Sequence, residues 1–72
     1  MPLLRLEIKP SNTLPDVDWF NCYDGDRLVA QTCKPSDHEG REEIRTRCRA
    51  IYPDQPIRFK VEHYDGEERH TH

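Results

Sequence analysis

Two stretches of the chain alternate between apolar and polar residues. In residues 3–9, single charged residues separate Leu4, Leu6 and Ile8, and the same alternation returns in residues 57–64. A period of two places successive side chains on opposite faces of a strand. Both stretches are therefore predicted to be strands that bury one face and expose the other.

A β-hairpin is predicted between these two strands. Residues 17–23 and 27–32 are rich in aromatic and aliphatic side chains and flank the Asp-Gly-Asp sequence at 24–26. Such runs around an Asp-Gly pair are the strongest short-range hairpin signal. The segment 10–16, which contains two prolines, cannot continue a ladder of hydrogen bonds and is predicted to be a loop.

The register of this hairpin has two solutions. A two-residue turn pairs Phe20 with Val29 and sets a charged side chain against Cys22. A three-residue turn, with its glycine in the left-handed conformation, pairs Phe20 with Ala30 instead. It also pairs Cys22 with Leu28. We favour this second register because it gives one face of the hairpin a consistent apolar character.

A single helix is predicted over residues 37–51. Ser36 and Glu39 form a capping box, in which two side chains satisfy backbone N–H groups at a helix start. The helix is expected to end at Tyr52, because the following proline excludes helical geometry at the preceding residue. Its predicted apolar stripe is Ile44, Cys48 and Ile51, with Gly40 one turn earlier where the backbone can approach the sheet.

The order of these elements predicts an α+β fold of the β-β-β-α-β kind. The helix serves as the crossover from the third strand to the fourth, so the fourth strand can lie parallel beside the first. The expected fold is a four-stranded, mixed, mostly antiparallel sheet in the order 4-1-2-3, with one helix packed on one face. Residues 1–64 are predicted to form one domain, and residues 65–72 a polar, flexible C-terminal tail.

Composition narrows the functional classes. The 72 residues are 33% hydrophobic and 35% charged with a net charge of −3, a balance that does not indicate a general polyanion binder. Neither an apolar run of membrane-spanning length nor a signal-peptide pattern is present in the sequence, so we expect a cytoplasmic protein without membrane contact. Cys22, Cys33 and Cys48 are an odd set at wide spacings, which favours free thiols over disulfides.

The sequence contains no motif with the spacing of a metal or catalytic site. Cys33 and His38 are a single pair, whereas structural zinc sites use two close pairs. A Cys/His nucleophile pair also needs a third group that orients the base and a pocket that excludes water. The only serines, Ser11 and Ser36, lie in a predicted loop and a helix cap. We therefore expect no cofactor, no metal and no enzymatic activity.

Aromatic and basic side chains interleave on the sheet face that the helix leaves bare. Exposed Trp, Tyr and Arg side chains are the residues that most often anchor protein interfaces. We expect Trp19 and Tyr23 to act as aromatic anchors and Tyr64 as a flanking ring. The orienting charges expected beside them are Arg5, Arg27, Arg58 and Lys60.

The working hypothesis is a small non-enzymatic regulator or inhibitor, an accessory protein of bacterial or phage type, that docks on a larger protein through this face. The alternative is a single-stranded nucleic-acid-binding module, in which rings stack on bases and cations hold phosphates. A third interpretation is ordinary sheet surface, with Trp19 folded over the sheet edge. The chain is expected to be a monomer or a homodimer paired through the edge strand 27–32.

Overall fold

The described part of the chain folds into four strands and one helix. The computed structural model describes residues 3–14 and 16–64, so the predicted tail at 65–72 lies outside the described residues. The elements in chain order are β1 (Leu3–Pro10), β2 (Asp18–Asp24), β3 (Arg27–Lys34), α1 (Asp37–Ile51) and β4 (Arg58–His63).

The strands form one mixed sheet in the order β3-β2-β1-β4. β2 is antiparallel to both β1 and β3, whereas β4 is parallel to β1. Read from the other edge, this is the predicted order 4-1-2-3. The α+β prediction is confirmed, because a helical crossover after β3 lets β4 return parallel to β1.

The core lies between one face of the sheet and the helix. Phe20 is fully buried under the first turns of α1, and a Cβ atom added at Gly40 would overlap its ring. The predicted close approach of the helix backbone at Gly40 is thus present. The buried apolar residues are Leu4, Leu6, Ile8, Phe20, Cys22, Ala30, Ile44 and Cys48.

The helix begins at the predicted cap residue, and the Ser36 half of the predicted capping box is present, whereas the Glu39 carboxylate accepts a hydrogen bond from the Ser36 hydroxyl instead of from its backbone N–H. The Ser36 hydroxyl accepts a hydrogen bond from the Glu39 backbone N–H at 3.1 Å, and the same hydroxyl donates to Glu39 Oε1. The buried stripe is Gly40, Ile44 and Cys48. Ile51 was predicted to extend this stripe, but its side chain is exposed. The helix extends past the core at its last turn, where Tyr52 packs against the core instead.

The hairpin turn is tighter than the favoured register assumed. Asp24 pairs with Arg27, which leaves Gly25 and Asp26 as a two-residue loop. Gly25 has a φ of 65° and no described non-glycine residue has a positive φ. A positive φ at the first central position alone is the pattern of a type II′ turn, whose twist matches that of the flanking strands.

An irregularity in the β2–β3 ladder restores the apolar face further along the hairpin. Tyr23 pairs with Leu28 but Cys22 pairs with Ala30, so Val29 is an extra residue in β3. Both sequence registers were therefore wrong, because neither placed the turn at Gly25 and Asp26 and neither included a bulge. Leu28 was expected on the helix side and is exposed, whereas Val29 was expected on the bare face and packs against the core.

Candidate functional site

The sheet face without the helix, called the open face below, collects the predicted aromatic residues. Phe20 and Cys22 are the residues of β2 in the core, so Trp19 and Tyr23, at the alternate positions of the same strand, lie on the open face. Strand alternation and the cross-strand pairs give the members of this face. They include Arg5, Glu7, Lys9, Trp19, Asn21, Tyr23, Gln31, Lys60, Glu62 and Tyr64.

Trp19 stands at the rim of a cavity on the open face. The residue retains 36% exposure, and it pairs across the sheet with Lys9. Asn21 and Gln31 also line the cavity, which has a volume of about 460 Å³. Asn21 is buried, and its Oδ1 accepts a hydrogen bond of 2.7 Å from Gln31 Nε2. The cavity thus combines an indole wall with fixed amide groups.

The other wall of this cavity is formed by Asn12 and Thr13 of the loop between β1 and β2 and by Pro10. Pro10 was predicted to belong to the loop, but it is the last residue of β1 and pairs with Asp18. Ser11 organises the loop, because its Oγ accepts hydrogen bonds from the backbone N–H groups of Thr13 and Leu14 at 3.2 and 3.0 Å. Side-chain acceptors of this kind stabilise a turn without a sheet partner. The loop lies beside Trp19 and leaves part of the indole accessible.

Arg5 lies over Tyr23 in the middle of the open face. Its guanidinium carbon is 4.4 Å from the ring centroid, a cation–π distance. The same guanidinium is 2.9 Å from Glu7 Oε2 and 3.4 Å from Glu62 Oε1. The hydrogen bond to Glu7 is the main cause that raises the pKa of Arg5 above its ordinary value. Arg5 is therefore a charge-compensated side chain that covers an aromatic ring.

Tyr64 closes the other side of this network. Its hydroxyl donates to Glu62 Oε1 at 3.0 Å, and Lys9 Nζ is 5.4 Å from its ring centroid. The hydrogen bond from Tyr64, followed by that from Arg5, holds the pKa of Glu62 below its ordinary value. Lys9 also lies 3.6 Å from Glu7 Oε1. Two cations, two carboxylates and two rings thus form one connected surface.

The sequence reasoning omitted the two carboxylates of this surface. Glu7 lies two residues from Arg5 and two from Lys9, and Glu62 lies two residues from Lys60. The period of two therefore places both carboxylates on the same face as these cations. Glu7 is a buried residue, even though the face as a whole is open. The alternation in the sequence was sufficient to place both carboxylates on the open face. Their presence changes the electrostatic character of this face from basic to balanced.

Of the other three predicted orienting charges, Lys60 is the cross-strand neighbour of Arg5 on the open face, whereas Arg27 and Arg58 lie outside the network. Arg27 pairs with Asp24, whose Oδ2 accepts a 2.6 Å hydrogen bond from the Tyr52 hydroxyl at the end of α1. Because paired residues share a face, Arg27 lies on the helix side, and its predicted place on the open face was wrong. Arg58 and Lys60 are exposed on the edge strand β4, and Arg58 lines a groove next to α1.

Within residues 3–14 and 16–64, no group of three or more His, Cys, Asp or Glu side chains is arranged to hold a metal ion. The helix in that part of the chain lacks the length and apolar character needed to cross a membrane. No protein-family model, curated protein or solved structure matches this chain.

Proposed function

We propose that this protein is a small binding module that docks on a larger protein through its open face. The exposed indole of Trp19 at the rim of the cavity carries this proposal. A tryptophan that combines a fixed position with remaining exposure presents a large apolar area at a low cost in conformational entropy, as interface anchors do. Tyr23 and Tyr64 extend the aromatic area along the sheet.

The charge distribution favours a protein over a nucleic acid as the partner. Binding to a phosphate backbone depends on cations that release counterions when they meet phosphates. Arg5 and Lys9, the central cations of the open face, already contact Glu7 and Glu62. A phosphate group would have to displace these carboxylates, whose negative charge would repel it. A polar, charge-balanced rim around aromatic side chains resembles the usual composition of a protein interface.

The proposal extends to a regulator or inhibitor that acts without catalysis in the cytoplasm. Docking through the open face would cover a surface of the partner, and this chain would not need to catalyse any reaction. The three cysteines are free thiols, as expected for a reducing compartment. The bacterial or phage origin remains a prediction from size and from the lack of motifs in the sequence.

A pull-down with matched variants tests the proposal. Immobilised wild-type protein, Trp19→Ala and Ile51→Ala are incubated with the same lysate, and captured proteins are identified by mass spectrometry. Trp19 and Ile51 are both partly exposed apolar residues, but Ile51 lies on the helix, away from the open face. We expect Trp19→Ala to lose a partner that the wild type and Ile51→Ala both retain.

The salt concentration separates the two candidate partner classes. A partner anchored by aromatic residues should stay bound between low and physiological ionic strength, whereas nucleic acid should be released steeply. Equal capture by Trp19→Ala and the wild type would contradict docking through the open face. Capture that nuclease treatment abolishes would favour the nucleic-acid alternative.

A further inference from the structure

The helix leaves a second surface uncovered on its own side of the sheet. α1 packs mainly on β3 and β2, so the side chains of β4 are only half buried beside it. A groove of about 310 Å³ runs between α1 and β4. Its floor is apolar and includes Ile57, Phe59 and Val61, whereas its rim carries Arg41, Arg45 and Arg58.

The rim of this groove is basic, although the whole chain is acidic. The Arg45 guanidinium carbon lies 5.6 Å from the centroid of the Phe59 ring, at the mouth of the groove. Arg41 Nε is 2.8 Å from Asp37 Oδ2, and its Nη2 is 3.2 Å from His63 Nε2. Arg45 and Arg58 form no ion pair with any other described residue. Their charge is available to an acidic ligand.

The edge of β4 offers backbone hydrogen bonds beside the same groove. β4 is the last strand of the sheet and pairs only with β1 among the described strands. The Tyr64 N–H donates to the Ile8 carbonyl at 2.8 Å, so the backbone groups of Tyr64 point towards β1. By the alternation of a strand, the backbone groups of Phe59, Val61 and His63 point outward. An extended chain can pair with these groups and reach the groove with alternate side chains.

We propose that this groove and the β4 edge together bind an extended acidic segment of a partner protein. The segment adds to the sheet as a fifth strand, places an aromatic or aliphatic side chain against Phe59, and places carboxylates beside Arg45 and Arg58. Charge complementarity selects this occupant, because a basic or neutral strand would leave both guanidinium groups unpaired. The groove lies on the helix side of the sheet and the cavity beside Trp19 lies on the open face, so the protein can hold two ligands on opposite sides of its sheet.

A designed peptide tests this proposal directly. The probe is a fluorescein-labelled peptide of about ten residues, the length of a long strand, made of aspartate and glutamate with two phenylalanines near its centre. The matched peptide has lysine at every acidic position. We expect the full chain to bind the acidic peptide in a fluorescence anisotropy titration at least about tenfold more tightly than the lysine peptide. Equal affinities would overturn the proposal.

Charge reversals on two sides of α1 locate the binding surface. Arg45→Glu reverses a charge at the groove, whereas Arg47→Glu makes the same change where Arg47 pairs with Glu43 and lies near β3. We expect Arg45→Glu to weaken binding of the acidic peptide by about tenfold and Arg47→Glu to leave it close to the wild type. Circular dichroism checks that both variants fold. Equal losses in both variants would assign the effect to net charge and contradict the site.

Amide exchange measured by NMR tests the added strand and distinguishes a second copy of this chain from a peptide. The acidic peptide should slow exchange at Phe59, Val61 and His63, and unchanged exchange there would refute strand addition. A dimer in sedimentation that Arg45→Glu dissociates would assign the groove to a second copy and overturn the proposed partner. Because Trp19→Ala leaves the groove intact, retained peptide binding in that variant separates this inference from the proposed open-face function.

Discussion

At the scale of single residues, Gly40 shows how one missing side chain sets the distance between helix and sheet. A methyl group at this position would overlap the Phe20 ring in a close-packed core. We predict that Gly40→Ala lowers the free energy of unfolding by about 1 kcal/mol or more, because overpacking outweighs the gain in helix propensity. The shift in the midpoint of urea unfolding measures this loss.

Thr46→Ala is the matched control for this substitution. Thr46 lies in the same helix but is exposed, so an alanine there should leave stability nearly unchanged or raise it slightly. A Gly40→Ala variant as stable as Thr46→Ala would mean that the helix can move away from Phe20 without cost. That outcome would contradict the close contact as the determinant of helix position.

Cys22 and Cys48 are two thiols that the fold keeps neutral. Their sulfur atoms are 3.7 Å apart in the core. Burial, with the neighbouring Cys48, raises the pKa of the Cys22 thiol from 9.0 to about 12. The unfolded chain therefore loses this proton first as the pH rises, so the contribution of Cys22 to stability is full below pH 9 and declines towards pH 12. We predict a shallower alkaline loss of stability in Cys22→Ala.

The comparison for this prediction is the slope of stability against pH, measured by urea unfolding between pH 8 and 11. Ile44→Val removes one methylene from the same core without a titrating group and should lower stability by about 1 kcal/mol at every pH. Its slope should equal that of the wild type. If Cys22→Ala had the wild-type slope as well, ionisation of this thiol would not contribute to alkaline unfolding.

At the scale of elements, alternation and capping signals were sufficient to predict all four strands, the helix and their order. The hairpin register was not predictable, because Leu28, Val29 and Ala30 are three consecutive apolar residues. Any one of the three can be the residue left over when a bulge is inserted, and local pattern does not distinguish them. The structure selects Val29, which lets Ala30 face the core opposite Cys22.

The two-residue turn makes a prediction about Gly25. Its φ of 65° is a conformation that most L-residues adopt only with strain, although no atom beyond its two chain neighbours lies within 4 Å of a Cβ placed there. We predict that Gly25→Ala lowers the free energy of unfolding by about 1 kcal/mol, and that Gly25→Asn lowers it less because asparagine tolerates positive φ. Equal losses from both substitutions would contradict backbone strain as the cause.

At the scale of the whole molecule, two features depended on tertiary placement and were beyond the sequence pattern. The helix lies towards the β2–β3 side of the sheet, which leaves the groove beside β4 half open. The bulge also carries Arg27 to the helix side with Asp24. Periodicity assigns a residue to one face of its own strand, but it does not determine where a helix crosses the sheet or where a ladder is interrupted.

The balance of charge across the open face yields a prediction that distinguishes local from overall electrostatics. Glu7 contacts both Arg5 and Lys9, so its carboxylate neutralises the centre of this face in a chain of net charge −3. Glu7→Gln keeps the size of the side chain and removes the carboxylate that both cations contact, which frees Lys9 and leaves Arg5 the longer 3.4 Å contact with Glu62. We predict that this variant binds a single-stranded oligonucleotide on the order of tenfold more tightly than the wild type at low salt. Filter binding at two ionic strengths measures the change.

Asp26→Asn provides the charge-matched control, because it removes one negative charge from the exposed hairpin turn. If local pairing of Arg5 and Lys9 limits polyanion binding, Asp26→Asn should bind the oligonucleotide about as weakly as the wild type. Equal gains in both variants would show that net charge alone sets the affinity. A wild-type protein that already bound as tightly as Glu7→Gln would instead favour the nucleic-acid alternative, because the carboxylates would then offer no barrier to phosphate.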